Sequence, residues 1–248
     1  MDKAQSEPRV IYRHTPVTRI CHWINAFCFF GLLASGMQIF NAHPMLNWGW
    51  ATDFDHPFFS LEPNGFPHWI TLPQIQDLAT GRRWHFFFAW LLVINGAVYF
   101  GELFFGRHIR DFFVNGGDIR HIPRAIIDHA RLRFPKGDEA LHYNVLQKLA
   151  YLSVIIAFPV LILAGLTMSP AMDAAFPWLL EIFGGRQSAR SIHFLLASFL
   201  VAFLLVHLAM VVLSGPINNI VSMITGRYRI EEDEHVAQDV QDVQNLRA

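Results

Sequence analysis

Residues 191–213 read SIHFLLASFLVAFLLVHLAMVVL, an apolar run that carries two imidazoles, His193 and His207, and no side chain of fixed charge. At about 1.5 Å per residue a helix of this length crosses the roughly 30 Å of hydrocarbon in a bilayer. Polar groups at that depth are costly and usually functional. The two histidines are fourteen positions apart, which amounts to about 21 Å of helix and nearly four whole turns. His193 and His207 therefore point the same way at two depths.

The rest of the chain is equally apolar. Of its 248 residues 53% are hydrophobic, 16% are charged and 23 are Phe, and mean hydropathy is +0.30. This composition indicates an integral membrane protein. The formal net charge of −1 gives no reason to expect a nucleic-acid partner. The two cysteines, Cys21 and Cys28, make no C-x-x-C and so no disulfide framework. The stretch RICHW lacks the C-x-x-C-H pattern of covalent haem attachment. The thiols are expected to pack as small apolar groups. MDKAQSEPRV has no cleavable signal pattern, so the first apolar segment is expected to act as an uncleaved anchor.

Four segments have membrane-crossing length: His22–Phe40, Trp84 to about Phe105, about Leu149 to Leu166 with Pro159 as an expected kink, and Ser191–Leu213. The predicted fold is an all-α integral membrane protein, a four-transmembrane-helix bundle spanning residues 1–230. Residues 231–248, rich in Asp and Glu, read as an acidic cytoplasmic tail.

Lys and Arg set the orientation. Lys3, Arg9, Arg13 and Arg19 precede the first span. Arg107, Arg110, Arg120, Arg124, Arg131, Arg133 and Lys136 lie between the second and third. Arg227, Arg229 and Arg247 follow the fourth. Residues 41–83 hold only Arg82 and Arg83, and the last loop only Arg186 and Arg190. Both termini are thus expected in the cytoplasm, with the first and third loops outside. The first loop is rich in Trp, Phe and Pro. Its Trp48, Trp50 and Trp69 suit a membrane interface or a docking surface.

Of thirteen histidines, four lie in spans: His22, His85, His193 and His207. The other nine, His43 among them, read as surface or interfacial groups. The expected topology sorts the four by depth, His85 with His193 near the outer face and His22 with His207 near the inner. Two imidazoles at one depth in a bundle core can hold a six-coordinate haem iron from both sides. Zinc, which gathers four ligands together, suits two distant pairs poorly. Arg19, Arg82 and Arg190 each stand three residues before a candidate ligand, on the same helical face. They are candidates to pair with haem propionates, or else mark helix ends. Gly31, Ala34, Gly36, Gly96, Ala97, Ala197 and Ala202 would let a flat macrocycle approach, or simply let helices pack closely.

From His193 the segment continues through GPINNIVSMITG to Gly226. This pattern, with its H-x13-H spacing, resembles the bacterial di-haem cytochrome b subunits: the gamma subunit of formate dehydrogenase and the cytochrome b of nickel–iron hydrogenases. The resemblance covers about residues 9–230. It implies two haem b groups, held by one ligand in span one, one in span two and two in span four, which fall on His22, His85, His193 and His207. It also implies a quinone site near the inner haem, in a motif similar to HYNVLQKLAYL. Tyr143, Asn144, Gln147 and Lys148 carry it here, or else these residues cap and anchor the helix.

The function this implies is electron transfer in the inner membrane. One end is membrane quinone. The other is a periplasmic oxidoreductase of formate dehydrogenase, hydrogenase or other molybdoenzyme type, reached directly or through an iron–sulfur subunit. The chain itself shows no Ser–His–Asp pattern, phosphate-binding Gly loop or iron–sulfur Cys set, so substrate conversion is expected on the partner. Two alternatives remain at this level: a self-contained oxidoreductase fed by a small diffusible donor, and a haem-free transporter whose histidines relay protons.

Overall fold

A computed structural model describes residues 9–105, 120, 122–123, 125–127 and 145–230. In chain order the elements are β1 (Arg9–Tyr12), α1 (Pro16–Asn41), β2 (Met45–Leu46), β3 (Phe59–Ser60), a 3-10 turn (His68–Ile70), α2 (Leu78–Phe105), α3 (Val145–Thr167), α4 (Pro170–Ala175), α5 (Pro177–Ile182), α6 (Arg186–Leu213), α7 (Pro216–Thr225) and β4 (Arg227–Ile230). Four of these, α1, α2, α3 and α6, are long and apolar enough to cross a membrane. Between 6% and 17% of their apolar windows is buried against protein, so lipid must cover the rest.

The long helices begin four to six residues before the hydrophobic runs, and at α1, α2 and α6 capping and not hydropathy sets the start. Thr15 Oγ1 accepts the backbone N–H of Thr18 at 3.2 Å ahead of Pro16 in α1. Asp77 Oδ1 accepts the N–H of Thr80 at 3.0 Å at the start of α2. Hydrogen bonds from Thr80, its hydroxyl first and its backbone N–H second, hold the Asp77 carboxyl below its ordinary pKa. The carbonyl of Gly49, from the first loop, accepts the N–H groups of Gln187 and Ser188 at 3.0 and 3.2 Å and so caps α6.

The chain divides into two compact units. The bundle unit comprises Cys21–Phe105 and Ser153–Leu205; the terminal unit comprises Met1–Ile20, Gly106–Leu152 and Val206–Ala248. In the bundle unit α1 and α2 pack through Cys28, Phe88 and Leu92, with Phe158 of α3 against the same cluster. A Cβ on Gly31 would lie 2.4–2.6 Å from three ring atoms of Phe88. Gly31 therefore makes room for a phenyl ring, one of the ordinary packing roles its sequence allowed. Cys21 and Cys28 are free and buried, as their spacing suggested. Asn95 Nδ2 donates to the Cys21 carbonyl at 2.9 Å and to Asn25 Oδ1 at 2.7 Å, a polar tie between α1 and α2.

The first loop is bolted to helix ends. Asn41 donates to the Phe66 carbonyl and accepts its N–H, at 2.8 and 2.7 Å. Gln38 Nε2 reaches the Ile75 carbonyl at 2.7 Å. Ser191 Oγ donates to the Asn47 carbonyl at 2.6 Å, and Ser188 Oγ accepts the Gly49 N–H at 2.7 Å. Gly185, at φ +106°, has no side chain because a Cβ would meet the Gly49 carbonyl oxygen at 2.5 Å.

In the terminal unit β1 and β4 form an antiparallel ribbon with Val10 opposite Arg229 and Tyr12 opposite Arg227. Asn218 of α7 clamps β4, accepting the Arg229 N–H at 3.0 Å and donating to its carbonyl at 2.8 Å. Neither the ribbon nor α7 was expected from the apolar pattern.

Candidate haem site

His85 lies in the second turn of α2, whose start Asp77 fixes; His193 lies two turns below the capped start of α6. The two rings meet with centroids 6.1 Å apart and planes inclined by 62°. An imidazole nitrogen binds a first-row metal at about 2.0–2.1 Å; with about 1.1 Å from nitrogen to ring centre, two rings sharing one ion are roughly 6.3 Å apart. The observed separation matches that requirement.

The second nitrogen of each ring is engaged by a neighbouring helix. His193 Nδ1 lies 2.8 Å from the Leu161 carbonyl of α3. A carbonyl only accepts, so Nδ1 carries the proton and Nε2 keeps its lone pair. His85 Nδ1 lies 3.1 Å from Ser35 Oγ of α1. That hydroxyl donates its proton to the Gly31 carbonyl at 2.6 Å, so it accepts from His85. His85 Nε2 is therefore also unprotonated. Both histidines present the atom, the tautomer and the outer hydrogen bond that metal-bound imidazoles use.

Each ring also rests on a glycine of the same supporting helix. A Cβ on Gly36 would lie 3.4 Å from His85 Cε1, and one on Gly165 would lie 3.0 Å from His193 Cε1. Gly36 thus lies directly against the His85 ring. Gly96 has nothing within 4 Å of its would-be Cβ. Among the described residues no group of three or more His, Cys, Asp or Glu could hold a metal ion, so a zinc cluster has no footing there.

Among the other candidates, His22, half-buried beside Trp23 with ring centroids 5.3 Å apart, belongs to the bundle unit; His207 belongs to the terminal unit. Arg19 donates to the carbonyls of Thr15 and Ile224. Arg82 is exposed, its guanidinium 6.0 Å from the centre of the Phe86 ring. Arg190 donates to the His43 carbonyl and lies 5.7 Å over the Phe40 ring. Gln147 and Lys148 sit half-buried on the first turn of α3, while Tyr143 and Asn144 lie outside the described residues.

Several contributors escaped the sequence reading. Ser35, Gly165 and the Leu161 carbonyl contact His85 and His193. His43, taken there as a surface group, has a buried Nε2 with no hydrogen-bond partner among the described residues. Burial first, and the Arg190 charge second, pull its pKa below the ordinary value, against a smaller opposing effect of Glu62.

Residues 13–226 match the family model for prokaryotic cytochrome b561. The chain belongs to that family. It is a multi-pass protein of the bacterial inner membrane, and it carries electrons as a membrane cytochrome b of a family that binds haem b. The chain is also 35% identical over 214 residues to a putative protein-methionine-sulfoxide reductase subunit, YedZ1, of Azospira oryzae. The match covers 86% of this chain and 96% of that protein.

Proposed function

We propose that the chain is the di-haem membrane subunit of a periplasmic reductase, and that it takes electrons from quinol on the cytoplasmic side. The observation that carries this is the His85–His193 pair, 6.1 Å apart with both Nδ1 atoms held by neighbouring helices. Haem iron supplies one-electron transfer, so two such groups at two depths would connect quinol to a partner across the membrane. His85 and His193 hold the outer group. His22 and His207 hold the inner one, on the depth argument from the sequence.

Ser35 and the Leu161 carbonyl fix the ligand tautomers and ring orientations. Arg190 and the unsatisfied His43 Nε2 offer a cation and a polar atom to a propionate near the outer face. Arg19 and Arg82 serve the same kind of role beside His22 and His85. Tyr143, Asn144, Gln147 and Lys148 form the quinol contacts at the entry to α3.

The YedZ1 name points to a catalytic partner that reduces methionine sulfoxide in proteins. The balance closes: quinol releases two electrons and two protons, and the sulfoxide takes up two of each to give methionine and water. An electron crossing the full membrane potential exchanges about 2.3 kcal/mol per 100 mV. With the inside negative, electrons moving from the cytoplasmic side outward run down the electrical gradient, so the potential favours this direction.

Haem quantification of the purified chain tests the reading. Two extractable b-type haems are expected, with His85→Ala and His193→Ala each losing one and His22→Ala and His207→Ala each losing the other. One haem in the parent chain, or loss of both in all four variants, refutes it. Reconstitution with quinol and the catalytic partner tests the direction.

A further inference from the structure

In the terminal unit, α7 and the β1–β4 ribbon enclose an open cleft of about 710 Å³. Ile217 and Val221 of α7 and Val10 of β1 form apolar walls, and Arg227 and Arg229 of β4 stand at its rim. The two arginines are two apart on a strand and so share one face. Val10 is paired directly with Arg229 on that face. Tyr228 takes the other face, under the Arg13 guanidinium at 4.7 Å. The Asn218 clamp on the Arg229 backbone fixes α7 against this strand.

The apolar side of α7 is uncovered. Ile217, Ile220, Val221 and Ile224, at i, i+3, i+4 and i+7, are 79%, 45%, 43% and 59% exposed. That is one stripe on one helix face. α7 follows the membrane-spanning α6 after only Ser214 and Gly215, so it starts at the bilayer surface. The described segments that build the cleft carry charge of one sign. Residues 9–20 and 206–230 contain Arg9, Arg13, Arg19, Arg227 and Arg229 and no Asp or Glu.

We propose that this cleft binds an anionic phospholipid. The Arg227 and Arg229 guanidinium groups take the phosphate, for which their planar donor sets are suited. The acyl chains run along Ile217, Val221 and the remaining stripe of α7 into the bilayer. A free phosphate would use the arginines but leave the apolar walls unexplained. This inference requires only that α6 crosses the membrane, and is independent of the electron-transfer reading.

The test uses the full-length haem-loaded chain, delipidated in detergent and titrated with phosphatidylglycerol or phosphatidylcholine. Bound lipid is counted by native mass spectrometry. Phosphatidylglycerol should bind roughly 30-fold more tightly, the preference expected of two cationic groups near an anionic surface. Arg227→Gln with Arg229→Gln should abolish the preference. Ile217→Asn, at a position open to solvent and lipid, should weaken retention of both lipids without removing the preference. Equal binding of the two lipids by the parent, or an unchanged preference in the arginine variant, overturns the proposal. So does competition by inorganic phosphate at matched concentration, which would make the ligand a free anion. If phosphatidylglycerol binds only after removal of residues 231–248, the acidic tail is the occupant and the proposal fails.

Discussion

Replacing Gly165 by alanine puts one carbon 3.0 Å from His193 Cε1 and 3.1 Å from Nδ1, where ordinary contact begins at 3.4 Å. The ring must shift by about 0.4 Å, and the 2.8 Å bond to Leu161 must lengthen or bend. Overpacking of this kind costs about 1–3 kcal/mol, against a helix gain of about 0.5–1 kcal/mol for Gly→Ala. The net expectation is a loss of up to about 2 kcal/mol of outer-haem retention, together with a changed ligand orientation. Two other glycines supply the scale. Gly36→Ala, 3.4 Å from His85 Cε1, should shift the spectrum less, and Gly96→Ala, with nothing within 4 Å, should not shift it. Low-temperature electron paramagnetic resonance of the ferric haems, with thermal haem release on the same samples, reads both quantities. The g-values of one haem should move in the order Gly165→Ala, Gly36→Ala, Gly96→Ala, the other haem staying fixed. Identical spectra for Gly165→Ala and Gly96→Ala would refute the placement of His193 as a ligand backed by α3.

Ser35→Ala removes the acceptor for His85 Nδ1–H, makes the imidazole a weaker donor and should raise the reduction potential of one haem only; a redox titration showing two unmoved potentials contradicts it. The depressed pKa of His43 means that the unfolded chain takes up a proton first. Its contribution to stability is complete above the ordinary value of 6.5 and is lost as pH falls from there through the folded pKa. Thermal melts between pH 7.5 and 5.5 should therefore be less steep for His43→Gln than for the parent, and parallel slopes would remove His43 from this role. Gly185→Ala forces a side chain onto a φ of +106° against the Gly49 carbonyl and should cost about 1–3 kcal/mol of strain. Protease nicking within residues 41–77 should rise in that variant, and an unchanged digestion pattern argues against the cap.

The four spans were legible because lipid leaves few ways to satisfy a backbone, and helices of this length stand out in composition. That His85 and His193 meet was legible for a related reason: turn arithmetic places both near the same end of their helices. What held them was not legible. The Leu161 carbonyl has no side-chain signature, and Ser35 looks like any small residue in a packed helix. That Gly36 backs His85 was not legible either, because nothing in a sequence says which group fills the space beside a glycine. The starts of α1 and α2 were set by Thr15 and Asp77, polar residues outside the apolar runs. The first loop read as an aromatic surface; that the Gly49 carbonyl caps α6 from across the fold depends on contact between segments more than 130 residues apart, which no local pattern carries.

The support given to the two ligands follows chain order. His85 on α2 is oriented by Ser35 and Gly36 on α1, and His193 on α6 by Leu161 and Gly165 on α3. Each half of the site is thus a ligand with its own aligning helix, and the first half is complete in sequence before the second has been synthesised. During biogenesis the early half can set its tautomer and ring angle without the late one. The halves already touch through Phe158 of α3 and through the Gly49 carbonyl on α6, so a group that both imidazoles share would add to an existing contact. A cofactor entering between the two rings would tighten the bundle at this pair, so newly inserted chains would gain stability as it is supplied.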